Sequence, residues 1–278
     1  ILPGMHRFQP CTSHPKTTEL MLATLEHWIK QWGQDSIFVI GNNDGTSWCQ
    51  CEHCRALDPP EEKKIRSVAT RYWTFVNGLV TRALEKYPDA ELYGWAYQNF
   101  HQPPAGIVPD SRVGVQLAFN NRCTRHALDD PACPVNARFL GHFKGWQRLG
   151  NPSFTWEQMN AGFRWYMPLE RTYPRDIKTF QTLGVGGTML PIAPPDGVYG
   201  PVYDNTTVPD QWRNAWQTIY LTAQLLWDAD RDLDPMLEEA NALFYGPAWN
   251  NGMRAFRDRL MKASAETPGC FGYLNDTP

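Results

Sequence analysis

Apolar positions along this chain fall into two alternating rhythms. From Leu20 to Trp32, the residues Met21, Leu25, Trp28, Ile29 and Trp32 recur at helical spacing, and Gly33 stops the run. Ile37 to Ile40 is unbroken and apolar, the pattern of a strand covered on both faces. A short extended piece, Arg7 to Cys11, precedes both. A second helix opens at Asp58-Pro59, carries Ile65, Val68, Tyr72, Phe75, Val76, Leu79 and Ala83 on one stripe, and ends at Pro88. Leu92–Tyr97 and Val113–Ala118 read as strands, Pro134–Leu149 as a helix closed by Gly150, and Phe154–Trp156 as a strand. Pro174–Leu183 is a helix with Ile177 and Phe180 inward, closed by Gly184, and Thr188–Ile192 is the last strand. Two helices finish the chain: Pro209–Trp227, with Trp212, Trp216, Ile219, Tyr220 and Ala223 aligned, and Leu233–Tyr245, stopped by Gly246, with Met253–Lys262 continuing beyond it.

Strand, loop and helix in repeated alternation predict an α/β protein with a parallel sheet. A doubly wound sheet and a (β/α)8 TIM-type barrel both satisfy that order. Polar and aromatic residues stand just past the strand ends: Asn42-Asn43-Asp44, Tyr97-Gln98-Asn99, Asn120-Asn121 and Glu157-Gln158. That is where a barrel keeps its site. No G-x-G-x-x-G opens a helix, and Gly184-Val185-Gly186-Gly187 precedes a strand. The barrel is therefore favoured, as one domain over 1–278 with C-terminal helices in 209–263. Only five or six strands are legible, so the expectation is a barrel lacking its first two or three βα units.

Composition then narrows the partners. The 278 residues carry a net charge of -3, with 42 % apolar and 20 % charged residues. No basic stripe offers itself to nucleic acid, and no apolar run approaches the ~20 residues of a membrane span. Twelve tryptophans, within 13 % aromatics, suit the apolar C–H faces of sugars, although Trp also fills large cores.

Seven cysteines are many for a reduced compartment and few for a disulfide scaffold. Cys49, Cys51 and Cys54 stand as C-x-C-x-x-C after the strand at 37–40. With Cys11 as a fourth ligand they suit a structural zinc; His14 and His53 are alternative ligands. Disulfides, with Cys11 tied to one of the three, compete with zinc. Cys123 and Cys133 bracket a short loop and read as a local disulfide. Either way the thiols would staple the loop that presents Asn43 and Asp44.

No G-x-S-x-G or H-E-x-x-H occurs. The motifs RFQPCTSHP, NNDGTSWCQCEHC and LLWDADRDLDPMLEEANALFYGPA, in that order from about Phe8 to about Leu260, resemble the domain-of-unknown-function family numbered 4838, which overlaps glycoside hydrolase family 163. The resemblance implies a secreted or cell-surface endo-β-N-acetylglucosaminidase on a (β/α)8 barrel, cutting N-glycan cores with retention and needing no cofactor. Glycans or glycoproteins would be its substrates. In that setting Asn43 and Asp44 could orient the substrate's acetamide and hold an oxazolinium charge, though Asn-Asp-Gly is also a turn sequence. Glu157 is the expected general acid/base, its pKa raised by burial between Trp156 and Trp165. Trp48, Trp95, Trp156 and Trp165 are candidate stacking residues. Tyr97, Asn99, Asn120, Asn121 and Gln158 are candidates for sugar hydroxyls and the acetamide. Trp28, Trp32, Trp212 and Trp216 fall on helical stripes and are expected in the core. A carbohydrate-binding remnant without turnover is the alternative. A glucuronidase, with Arg122, Arg125 or Arg164 on the uronate, is another.

Overall fold

The computed structural model describes residues 8–119, 121–157, 168–190 and 208–271, the last from 216 onward with side chains. Its elements are α1 (Pro15–Trp32), β1 (Ile37–Ile40), α2 (Glu52–Ala56), α3 (Pro60–Lys64), α4 (Ala69–Lys86), β2 (Glu91–Tyr97), β3 (Gly114–Ala118), α5 (Pro134–Leu149) and β4 (Ser153–Trp156), then α6 (Thr172–Thr182), β5 (Thr188–Met189), α7 (Val208–Trp227), α8 (Leu233–Tyr245) and α9 (Arg254–Glu266). They gather into two compact units. The first comprises 8–119 with 141–156, and the second the described residues of 120–140 with 157–271.

The sheet runs in the order β1-β2-β3-β4-β5, with β1 to β4 paired in parallel. Strand order that follows chain order has no reversal point, so the described strands are laid down as in a barrel wall and unlike a doubly wound sheet. This is a mixed α/β fold with a parallel sheet, as the alternation predicts.

Along β2, Leu92, Gly94 and Ala96 are buried while Tyr93, Trp95 and Tyr97 are half-buried. The buried side meets α4. A β-carbon on Gly94 would lie 2.9 Å from Trp73 and Val76, so only glycine lets the helix settle this close. Trp73 in turn packs against Trp146 of α5, ring centroids 4.7 Å apart. The buried Tyr72 hydroxyl donates to the Ile40 carbonyl (2.5 Å) and accepts from the Trp95 amide (2.8 Å), tying α4 to the ends of β1 and β2.

Several boundaries differ from the sequence expectation. α1 starts at Pro15, because the His14 ring accepts from the Lys16 amide (3.1 Å) and proline suits the first turn. The helix expected from Asp58 is two helices. Glu62 turns back to accept from the Thr70 amide (2.9 Å), the Thr70 hydroxyl (2.6 Å) and the Ala105 amide (2.9 Å), so its carboxylate caps a new start. Ile65, placed on the expected stripe, is exposed in that break. Trp28 and Trp32 are exposed and stack on each other; the core side of α1 is Leu25 and Ile29. On α7 the buried side is Gln217, Thr218, Leu221, Thr222 and Leu225, one step round from the expected stripe. Trp216 lies flat on Phe244 at 3.9 Å, half-buried, and the side chain of Trp212 lies outside the described residues.

Candidate functional site

In the first unit, β2 and β4 carry a half-exposed aromatic row at their C-terminal ends. Trp95 stands edge-on to Tyr97 (5.2 Å) and to Trp156 (5.9 Å). Gly41, just past β1, leaves room for the Trp95 ring at 3.5 Å. The Tyr97 hydroxyl donates to the exposed Asp44 carboxylate at 3.1 Å. Four residues picked from three separate stretches of sequence therefore meet on one surface: Asp44, Trp95 with Tyr97, and Trp156.

The neighbouring picks do other work. Asn43 is a bracket: its side chain donates to the Phe8 carbonyl (2.7 Å), its amide to the Gln9 side chain (2.9 Å), and its carbonyl accepts from Gln9 (2.6 Å). Gly45 at φ 109° completes the turn. Trp48 is 5 % exposed and edge-on to Tyr72 and Phe100, so its faces belong to the core and not to a ligand. The Asn99 side chain donates to the carbonyl of Arg66 (2.9 Å). Asn121 is half-buried in the second unit. Asn120, Gln158, Trp165 and Arg164 lie outside the described residues.

Behind the Asp44 loop, the ligand atoms of Cys11, Cys49, Cys51 and Cys54 lie within 4.8 Å of one another. Cys11 Sγ is 3.8 Å from Cys51 Sγ and 3.6 Å from Cys54 Sγ. A tetrahedral zinc with Zn–S near 2.3 Å puts its sulfurs about 3.8 Å apart, and a disulfide needs about 2.05 Å. Cys51 caps α2, and its sulfur accepts from the Cys54 amide (3.4 Å). That bond, helped by the Ser13 hydroxyl, brings the Cys51 thiol down to about 6. The buried Arg71 donates to the Cys49 carbonyl (2.7 Å) and pairs in two bonds with Asp58, fixing the loop to α4.

In the second unit, Glu157 is 2 % exposed. Its amide continues beyond β4 by donating to the Met189 carbonyl (2.9 Å). One carboxylate oxygen accepts two bonds from the buried Arg122 (3.1 and 2.8 Å), and the other has no hydrogen-bond partner among the described residues. The same guanidinium is 2.8 Å from Asp176, which is fully buried and accepts from the Leu128 amide (2.6 Å). Two carboxylates thus share one cation. Burial holds both above the usual carboxylate range, against the opposing pull of Arg122. The expected raised pKa of Glu157 therefore has burial as its cause, with Arg122 and Asp176 as the groups around it.

All seven cysteines are free thiols, so the local disulfide expected between Cys123 and Cys133 does not form. The reason is a second convergence. Cys123, His126, Cys133 and Cys270 bring their ligand atoms within 4.8 Å of one another, and Cys133 Sγ lies 3.5 Å from Cys270 Sγ. Both cysteine groups could hold a metal ion. Sequence reasoning missed this group because Cys270 is 137 residues from Cys133. The available signals were the Cys123-x-x-His126 spacing and a cysteine count that leaves three once four are used.

The second unit also carries hollows. One, of about 270 Å³, is lined by Ile177, Phe180, Val185, Leu225 and Trp227. Another, of about 530 Å³, runs past His126, Arg125, Arg171, Arg175 and Lys262. Neither is lined by Asp44, Glu157 or the aromatic row. Among the described residues, no helix is long and apolar enough to cross a membrane.

Fold and site define a parallel α/β protein with a strand-end aromatic surface and two thiol-rich quartets. The family model described as "Domain of unknown function (DUF4838)" matches residues 4–258, and the chain belongs to that family. No curated protein and no solved structure matches it significantly.

Proposed function

We propose that the chain is the catalytic-type domain of a retaining glycoside hydrolase acting on β-linked N-acetylglucosamine in N-glycan cores, on a (β/α)8 barrel. The observation that carries this reading is the Trp95–Tyr97–Trp156 row with Asp44 hydrogen-bonded at its edge, all at the C-terminal ends of parallel strands. Indole and phenol faces cover the sugar's C–H surface, and Asp44 orients the acetamide and offsets the charge that develops as it attacks the anomeric carbon. Glu157 gives a proton to the leaving oxygen and takes one from the water that opens the oxazoline. Substrates are glycans or glycoproteins, and the setting is secreted or cell-surface. Asp44→Asn and Glu157→Gln should each lower kcat on a GlcNAc-containing glycoprotein roughly 10²–10⁴-fold, with the circular-dichroism spectrum unchanged. Full activity in both variants would sink the assignment.

A specific observation favours a second reading, glycan binding without turnover: Glu157 is buried and held by Arg122. Calorimetry that shows binding where no product forms would select it. A glucuronidase draws less support, because Arg122 is engaged with Glu157 and Asp176, and Arg125 with backbone carbonyls near the C-terminus.

The first quartet, Cys11, Cys49, Cys51 and Cys54, is best read as a structural zinc site that stiffens the Asp44 loop. Mass-spectrometric metal analysis should find zinc bound, with one ion lost in Cys54→Ala; an unchanged content would remove the site.

A further inference from the structure

We infer that Cys123, His126, Cys133 and Cys270 form a second structural metal site, a Cys3His centre for zinc, that locks the C-terminal segment onto the loop carrying Arg122. This inference stands independently of any glycosidase activity.

The ligand geometry comes first. Cys123 Sγ is 3.2 Å from His126 Nδ1, Cys133 Sγ is 3.5 Å from Cys270 Sγ, and Cys270 Sγ is 4.0 Å from His126 Nδ1. Zn–S near 2.3 Å and Zn–N near 2.05 Å in a tetrahedron require S···S near 3.8 Å and S···N near 3.6 Å, so the two S···N separations bracket the required one and the S···S separation falls just short of its own. Three thiolates and one imidazole are a soft set that suits zinc over calcium or magnesium. Cys123 and Cys133 are buried, while His126 and Cys270 are half-buried, which leaves an entry path.

The supporting groups are built for a fixed site. Asn136 is fully buried and uses its whole amide on the ligand loop. Its oxygen accepts from the Cys123 amide (2.9 Å), and its nitrogen donates to the carbonyls of Cys123 (3.0 Å), His126 (2.9 Å) and Ala127 (3.0 Å). The Asn136 amide donates to Cys133 Sγ (3.4 Å). Such outer bonds hold ligands in place before the ion arrives. The fourth ligand is delivered by a clamp. The Thr124 amide donates to the Phe271 carbonyl (2.7 Å), and the Arg125 guanidinium donates to the carbonyls of Thr267, Pro268 and Gly269.

Binding balances simply. Three thiols release three protons, neutral His126 supplies a lone pair, and no group is oxidised. The centre carries one net negative charge. Arg122, next in sequence to Cys123 and donating to its carbonyl (3.4 Å), then holds Glu157 and Asp176. The metal is thereby a brace for the loop that carries Arg122.

The full chain, purified with zinc and without chelator, should contain two zinc ions, one for each quartet. Cys270→Ala should lower the content from two to one, Cys54→Ala should do the same through the other site, and His126→Cys should keep two. Because Cys270→Ala could destabilise the chain, the wild type gives a second readout. Cysteine-resolved alkylation should leave Cys123, Cys133 and Cys270 protected until a strong chelator is added, and then label all three. Unchanged zinc in Cys270→Ala overturns the inference. So does labelling of the three thiols before chelation. A Cys133–Cys270 or Cys123–Cys133 linkage, seen as a peptide pair two hydrogens lighter, overturns it as well.

Discussion

The two quartets are built alike and braced differently. In each, one cysteine stands immediately before a helix, Cys51 before α2 and Cys133 before α5, and its sulfur accepts from the amide three residues on at 3.4 Å. In each, a buried arginine donates to a ligand cysteine's carbonyl, Arg71 to Cys49 and Arg122 to Cys123. The difference is the charge behind the arginine. Arg71 faces one carboxylate, Asp58, and the pair is neutral. Arg122 faces two, Glu157 and Asp176, and leaves one negative charge uncompensated when both are ionised. A balanced pair fixes a loop. An unbalanced one keeps a carboxyl ready to hold a proton, which is the property an acid/base needs. The second unit therefore carries the site-like electrostatics, and the first carries the aromatic row.

Removing each arginine breaks this comparison most severely. Arg122→Met leaves two buried carboxylates without their shared cation and should cost about 3–5 kcal/mol, the range for breaking a buried pair. Arg71→Met strands only Asp58, 8 % exposed, and should fall at about 3 kcal/mol, the lower end of that range. Urea denaturation midpoints at constant slope measure both. If Arg71→Met proves the more damaging, the charge argument fails.

Legibility in the sequence followed how local the cause was. The strand at Ile37–Ile40 was readable to the residue in its bounds, because four apolar side chains in a row declare themselves, but not in its covering: Ile40 is buried, Phe38 and Val39 are half-buried and Ile37 is exposed, so the strand is not covered on both faces. Strand-end residues Asp44, Trp95, Tyr97 and Trp156 could be picked because a parallel sheet places such positions on one side. The break between α3 and α4 could not, since it depends on Glu62 reaching Ala105, 43 residues away. Trp28 and Trp32 match a core stripe in spacing but lie on the outer side of α1, and periodicity does not say which side a helix turns inward. Cys270 has no local partner at all, so the second quartet exists only once the chain has folded. The same holds for the Arg122–Glu157–Asp176 cluster, whose members come from three separate stretches.

A change at Glu157 sharpens the comparison on the pH axis. A free glutamate ionises near pH 4.3, and the folded protein holds Glu157 above that. The protonated form is thus favoured in the fold. Its contribution to stability is complete below about pH 4.3 and declines as pH rises toward the folded value, at about 1.4 kcal/mol for each unit of separation. Glu157→Gln cannot ionise and leaves Arg122 in a one-to-one pair with Asp176. Wild type should therefore lose ground to Glu157→Gln as pH rises from 4 to 7, with the variant no less stable at neutrality. The equivalent change in the first unit, Asp58→Asn, removes half of a balanced pair and should destabilise at pH 7. Thermal melts across that range decide it, and parallel pH curves for Glu157→Gln and wild type would refute the sharing of one cation by two carboxylates.

The smallest stability effect belongs to the aromatic row, and its smallness is informative. Trp48→Ala empties a core position between Tyr72 and Phe100 and should cost about 3–5 kcal/mol. Trp95 is half-exposed and already open on one side, so Trp95→Ala should cost roughly 1 kcal/mol, in line with ordinary substitutions. A surface that keeps two indoles and a phenol half-exposed at little benefit to folding has another use for them. If that use is sugar stacking, Trp95→Ala should weaken binding of a chitooligosaccharide about tenfold in calorimetry, which is 1.4 kcal/mol of affinity, while Trp28→Ala on the outer side of α1 leaves it unchanged. Equal affinity in the Trp95 variant and the wild type would detach the aromatic row from carbohydrate and leave the quartets as the sites with ligand-like geometry among the described residues.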